Sequence, residues 1–214
     1  MQEQFWLDKW KNNQIGFHQH QVNEFLAKYI DKLSLQKNDR IFVPLCGKSL
    51  DIHWLLDQGL RVVAIELSEL AVEELIKTLN LPFEEIQNQR LRHFHHPQID
   101  IFNGDIFQLT KPLLGDVDAI YDRAALVALP ENMRVEYAQH LKEITNNAPQ
   151  LLISYEYDQD AFSGPPFSIP ETKIKGLYDD VYNIEPLIRI ERPRAFQQQD
   201  AIETAWYLAK KIDD

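Results

Sequence analysis

Glycine is scarce in this chain, with 7 in 214 residues. The shortage excludes a three-glycine G-x-G-x-x-G turn, which lays a dinucleotide's pyrophosphate on a helix N-terminus. Cysteine is scarcer still: Cys46 stands alone, so no internal disulfide can form and a cytoplasmic setting is expected. Cations are outnumbered, 22 Lys and Arg against 33 Asp and Glu, for a formal net charge of −11. A nucleic-acid partner, bound through clustered cations, is therefore not expected. No apolar run reaches the roughly 18 residues of a membrane span, and the opening MQEQFWLDKWKN lacks the continuous apolar core of a signal peptide. No membrane partner is expected either.

What is present suits a soluble globular protein, 44% hydrophobic and 26% charged. Residues 1–214 show no repeat, low-complexity tract or linker, and are expected to form one domain. The chain is organised around Arg40 to Glu69, RIFVPLCGKSLDIHWLLDQGLRVVAIELSE. Ile41 to Val43 is a short apolar run that ends in the turn Pro44 to Ser49. Leu50, Ile52, Trp54, Leu55 and Leu56 then mark a helix closed by Gly59, and Val62 to Ile65 is a second β-branched run. Strand, turn, helix and strand within about 30 residues predict a βαβ unit with parallel strands.

The second strand ends in Glu66, 19 residues after Gly47. An acidic residue roughly 20 positions past the glycine turn is placed to accept hydrogen bonds from ribose hydroxyls. Gly47 allows a ligand to approach the backbone closely. Gly47-Lys48-Ser49 resembles the end of a P-loop, but that motif needs glycine at position 42, which is Phe. A nucleoside with a ribose diol and no phosphate fits best, and S-adenosylmethionine is the common one.

At these residues the chain resembles the thiopurine S-methyltransferase family, a branch of the class I S-adenosylmethionine-dependent methyltransferases. The resemblance rests on VPLCGKSLDIHWLLDQGLRVVAIELSELAVEE together with FWLDKW at 5–10, GFHQ at 16–19, NGDIF at 103–107, YDRAAL at 121–126 and SGPPF at 163–167. It implies an α/β fold with a seven-stranded, mostly parallel doubly wound sheet, and an N-terminal aromatic lid over residues 1–20. It implies S-methyl transfer to a small aromatic or heterocyclic thiol by in-line displacement. A thiol/halide or selenium/tellurium methyltransferase of the same fold is the alternative. An expected monomer binds Trp10, Leu45, Gly47, Glu66, Asp105, Ile106 and Arg123 to the cofactor. Phe17 and Phe167 face the substrate, with Phe162 a further apolar contact. Arg123 is the catalytic candidate, a fixed charge beside the thiolate or the cofactor carboxylate. No general base is assigned, Asp122 being the only nearby candidate. The C-terminal stretch Arg192 to Gln199 gives no clear match for a second substrate arginine.

Two other classes share part of this logic. A nicotinamide oxidoreductase should show the missing glycines, and a non-catalytic binding module would bind cofactor without turnover. Cys46 lacks a neighbouring histidine base and reads as a packed residue. His93, His95 and His96 suggest a metal, but no carboxylate or cysteine stands out at a supporting spacing. No metal is expected, and residues 84 to 98 are read as a solvated hairpin ending at Pro97.

Overall fold

A computed structural model describes residues 3–86 and 90–211. Its strands are β1 (Arg40–Val43), β2 (Arg61–Glu66), β3 (Glu84–Ile86), β4 (Arg92–His96), β5 (Ile99–Asn103), β6 (Ala119–Arg123), β7 (Gln150–Glu156), β8 (Tyr182–Phe196) and β9 (Gln199–Lys210). They form one sheet in the order β3-β4-β5-β2-β1-β6-β7-β9-β8. The central run from β5 to β7 is parallel. β9 and β8 close one side antiparallel, and the β4–β3 hairpin closes the other.

The helices are α1 (Glu3–Lys11), α2 (Glu24–Tyr29), α3 (Leu50–Asp57), α4 (Glu69–Leu79), α5 (Lys111–Leu114), α6 (Glu131–Thr145) and α7 (Glu171–Tyr178). Alternation along the buried strands sorts them onto two faces. Ile41, Val43, Val62, Ala64 and Tyr121 point to one face, where Phe25 and Leu26 of α2, Ile52 and Leu55 of α3, and Val72 and Leu75 of α4 cover them. Phe42, Val63, Ile65, Ile120 and Trp206 point to the other, against Tyr137 and Leu141 of α6 and Ile174 and Tyr178 of α7. The doubly wound expectation holds.

Local signals set the helix ends. The Ser49 hydroxyl accepts from the Asp51 amide at the start of α3, and the Ser68 hydroxyl accepts from the Ala71 amide at the start of α4. Asn80 adopts a left-handed conformation that stops α4 before Pro82.

The strand count corrects the expectation of seven, because among the described residues the sheet has nine. The polar segment around the three histidines is a hairpin, but it joins the sheet instead of standing in solvent. β4 pairs with β5 along its whole length, Phe94 opposite Ile101 and His93 opposite Phe102. The His93 ring stacks on Phe102 at 4.3 Å. Pairing there covers the backbone groups that β5 would otherwise leave open at a sheet edge. Residues 87–89 lie outside the described residues, as do residues 1–2 of the expected lid.

Strand order reverses between β1 and β6, so the crevice at the carboxyl ends of these strands is the favoured ligand position of an open α/β sheet. Among the described residues no helix is long and apolar enough to cross a membrane.

Candidate functional site

A cavity of about 570 Å³ opens at that crevice, walled by the turn after β1, the tips of β2, β6 and β7, and the N-terminal segment. The turn is held in an unusual backbone conformation, with φ of 46° at Leu45 and 54° at Gly47. The glycine meets two constraints: left-handed φ is strained for any other residue, and an added Cβ would sit 3.0 Å from the Trp10 ring. The buried Trp10 thus lies directly over the turn.

Glu66 is buried at the wall. One carboxylate oxygen accepts the Gly47 amide and the other accepts the Ser68 amide, each at 2.8 Å. The Asn103 amide group donates to the carbonyls of Glu66 and Leu67 and fixes the end of β2 from the neighbouring strand. Burial raises the Glu66 pKa, and hydrogen bonds from the Ser68, Gly47 and Leu67 amides only partly offset this. A carboxylate offers about four acceptor sites. Two are spent on backbone, which leaves capacity for a pair of hydroxyls arriving through the cavity.

Asp105 and Ile106 line the cavity on the next strand's exit. The Asp105 carboxylate caps the short 3-10 turn Ile106–Gln108 by accepting the Phe107 amide, and His140 bonds the Ile106 carbonyl at 2.9 Å. Arg123, at the tip of β6, donates to the Phe17 carbonyl at 2.9 Å and ties the N-terminal segment to the sheet. Phe17 meets both Trp10 and Trp6 edge-on, at 5.5 and 5.7 Å between ring centres. Trp10, Leu45, Gly47, Glu66, Asp105, Ile106, Arg123 and Phe17 all line one cavity.

Phe167 does not line it. Its amide donates to the Val127 carbonyl, and its ring lies 5.6 Å from the Arg134 guanidinium, behind the wall. Phe162, Pro165 and Pro166 of the same loop do line the cavity. Phe196, at the tip of the β8–β9 hairpin, stacks on Phe162 at 5.6 Å and meets Tyr155 edge-on at 5.1 Å. The sequence reading missed Phe196, Tyr155 and His18 as wall residues. GFHQ at 16–19 contains His18, so a signal was present for that one. Burial, then Lys48, His20 and Arg123, lowers the His18 pKa and favours the neutral ring.

Asp122, next to Arg123 in sequence, points away from the cavity because side chains alternate along β6. It accepts the Tyr137 hydroxyl at 2.7 Å and the Leu126 amide at 3.1 Å, and burial pushes it up to about 6 against those bonds. It pins α6 and the Leu126 turn to the sheet. Cys46 is buried, its thiol pushed well up by burial and then by Glu66, as a packed residue should be. Arg192 pairs with Glu203 at 2.7 Å and with Glu24, outside the cavity wall, so Arg123 is the arginine that lines it among the described residues.

The histidine segment needs a second correction. Asp100 of β5 lies across from His95, and the His93 and His95 rings each bond the same Asp100 oxygen at 2.8 Å. A supporting carboxylate is therefore present, five residues beyond His95. Burial raises the Asp100 pKa, but hydrogen bonds from His93, His95 and Arg40 overcome this and hold it well below the usual carboxylate range.

The family profile described as Thiopurine S-methyltransferase matches residues 1–211. The chain is 52% identical over 218 residues to a protein of Acinetobacter baylyi named thiopurine S-methyltransferase, covering 99% of this chain and 100% of that one. A protein of the same name from Xanthobacter autotrophicus is 45% identical over 212 residues, covering 98% and 100%. Among solved structures, the 1,6-didemethyltoxoflavin-N1-methyltransferase of Burkholderia thailandensis, holding 1,6-didemethyltoxoflavin and S-adenosylhomocysteine, superposes with a TM-score of 0.66 at 12% identity over 97% of this chain and 87% of that one. The magnesium protoporphyrin IX methyltransferase of Synechocystis, holding S-adenosylhomocysteine, gives 0.64 at 13% identity over 98% and 100%. These two share the Rossmann-like methyltransferase architecture.

Proposed function

Because the chain belongs to the thiopurine S-methyltransferase family, we propose that this S-adenosylmethionine-dependent S-methyltransferase acts on small aromatic or heterocyclic thiols. The observation that carries the reading is the shape of one cavity. A buried carboxylate with open acceptor sites faces it at Glu66, and an aromatic wall of Trp10, Phe17, Phe162 and Phe196 encloses the rest. Flat apolar acceptors suit such a wall, where ring faces and edges supply the contacts.

The residues present fit the methyl donor. Glu66 would hold the ribose diol, and Leu45 and Gly47 would present backbone to the methionine part, where Gly47 has no Cβ in the way. Asp105 and the Ile106 backbone would meet the adenine, and Trp10 would cover it. The donor, when bound, supplies a methyl group on a positively charged sulfur that a thiolate attacks in line. The chain's part is to align the thiol, exclude water and stabilise charge. Arg123, on the wall, provides the fixed cation that favours a thiolate or holds the donor's carboxylate. An aromatic thiol ionises readily, so Asp122, turned into the core, is not needed as a base.

Residues 3–19 would serve as the lid, joined to the sheet by the bond from Arg123 to Phe17. Trp10→Ala is expected to weaken donor binding and to erase donor-dependent protection from hydrogen exchange at residues 3–19. Protection that ignores the donor in the native protein would remove the lid from the account. A monomer in a reducing compartment completes the reading, with sedimentation as its check.

The substrate proposal is tested by labelled S-adenosylmethionine against a panel of aromatic, heterocyclic and alkyl thiols, selenide, tellurite-derived species and halides. Aromatic or heterocyclic thiols should give the highest kcat/KM. Preference for halide, or donor binding without turnover of any acceptor, would overturn it.

A further inference from the structure

A cluster on the far side of the sheet is not used by methyl transfer. His93 and His95 of β4 and Asp100 of β5 bring three potential ligand atoms within 4.8 Å of one another. None of the three lines the cavity. Asp100 sits near the start of β5, beside Val63, whereas Glu66 lies beside Asn103 at that strand's other end. The cluster therefore belongs to the amino-terminal edge of the parallel strands, opposite the ligand crevice.

We propose that His93 Nε2, His95 Nδ1 and Asp100 Oδ1 form a binding site for one divalent cation of borderline softness, with Zn²⁺ as the representative. Two imidazoles and one carboxylate are a donor set such ions accept, with water in the remaining position. The two ring nitrogens already converge on one oxygen at 2.8 Å each. A tetrahedral ion with bonds of about 2.0–2.1 Å wants its ligands roughly 3.3 Å apart, which small movements of the rings supply. Each ring would bind the ion through the nitrogen that now bonds Asp100 and carry its proton on the other, so the ion takes the place of the two ring contacts to Asp100 Oδ1.

The surroundings hold the ligands in place. Arg40 donates to Asp100 Oδ2 at 2.8 Å and to the Leu114 carbonyl at 2.6 Å. One carboxylate oxygen is thereby fixed and the other is turned to the histidines, as outer partners of metal ligands do. The His93 ring is oriented by its stack on Phe102. The Arg40 charge also weakens cation binding by repulsion, so a moderate affinity is expected. The ion would join the hairpin strand β4 to β5 and act on stability.

The test is titration of the untagged full chain with Co²⁺ and Zn²⁺. Expected are one Co²⁺ per chain with the intense visible absorption of a tetrahedral ion, a Zn²⁺-dependent rise in Tm, and unchanged methyl transfer. Asp100→Asn and His95→Gln should each remove both signals, while His53→Gln retains them. Asp100→Asn also loses an ion pair with Arg40 and can fail to fold, but the His95 side chain is 42% exposed, so His95→Gln decides the matter. No equimolar binding to the native chain, or binding that survives His95→Gln undiminished, overturns the site.

Discussion

Replacing Glu66 with Ala is expected to weaken S-adenosylmethionine binding by about 1.5–3 kcal/mol, the scale of hydrogen bonds to a charged group, or roughly 10- to 150-fold in Kd. The loss has two sources. The diol loses its acceptor, and the amides of Gly47 and Ser68 lose the carboxylate that fixes them. Glu66→Gln separates them, since an amide of the same shape keeps a single acceptor oxygen and adds a donor. It should fall between the native protein and Glu66→Ala by calorimetry. Affinity unchanged in Glu66→Ala would remove the residue from the cofactor site.

The second large effect concerns stability and pH. Burial raises the Asp122 pKa from 3.8 to about 6. In the unfolded chain the same carboxyl ionises near 3.9, so between these values the native state holds a proton that the unfolded state has released. Stability therefore falls as pH rises through this window and levels off above it. A difference of roughly two units at about 1.4 kcal/mol each amounts to about 3 kcal/mol. Asp122→Asn should remove this dependence. Urea unfolding across pH 4 to 7 is expected to show the Asn variant gaining about 2 kcal/mol relative to the native protein as pH rises, the rest of the difference lying below pH 4. A constant offset between the two would show that Asp122 ionises normally in the fold.

How much of this was legible in the sequence depended on the range of the interactions. The unit from Ile41 to Glu66 was readable because its apolar runs, its single glycine and its terminal carboxylate are all local signals. Gly47 and Glu66 then meet directly, amide to carboxylate. In the sequence, residues 84 to 98 read as a solvated hairpin ending at Pro97 because the stretch is polar. What places it in the sheet is pairing with β5 and the stack of His93 on Phe102, and neither leaves a periodic trace. Asp100 was overlooked as a partner for His93 and His95 for a related reason: the contact crosses between strands.

The substrate side was hardest. Phe162 and Phe167 lie in one proline-rich loop and look equivalent as letters, yet one faces the cavity and the other packs behind it on Arg134. Phe196 arrives from a different hairpin and stacks on Phe162. Such a contact depends on where β8 and β9 end in space. The expected lid and the expected roles of Trp10, Asp105, Ile106 and Arg123 came from resemblance, whereas Gly47 and Glu66 were legible from spacing, and what the geometry adds is that all six line one cavity.

The proposed function turns on the carboxylate at the end of β2 gripping the donor's sugar. Crystals grown with S-adenosylhomocysteine test it most directly. Both ribose hydroxyls should lie within hydrogen-bond distance of the Glu66 oxygens, about 2.6–3.2 Å, with Gly47 and Ser68 still bound to the same carboxylate. A ribose held by other residues, with Glu66 bonded to backbone alone, would contradict it.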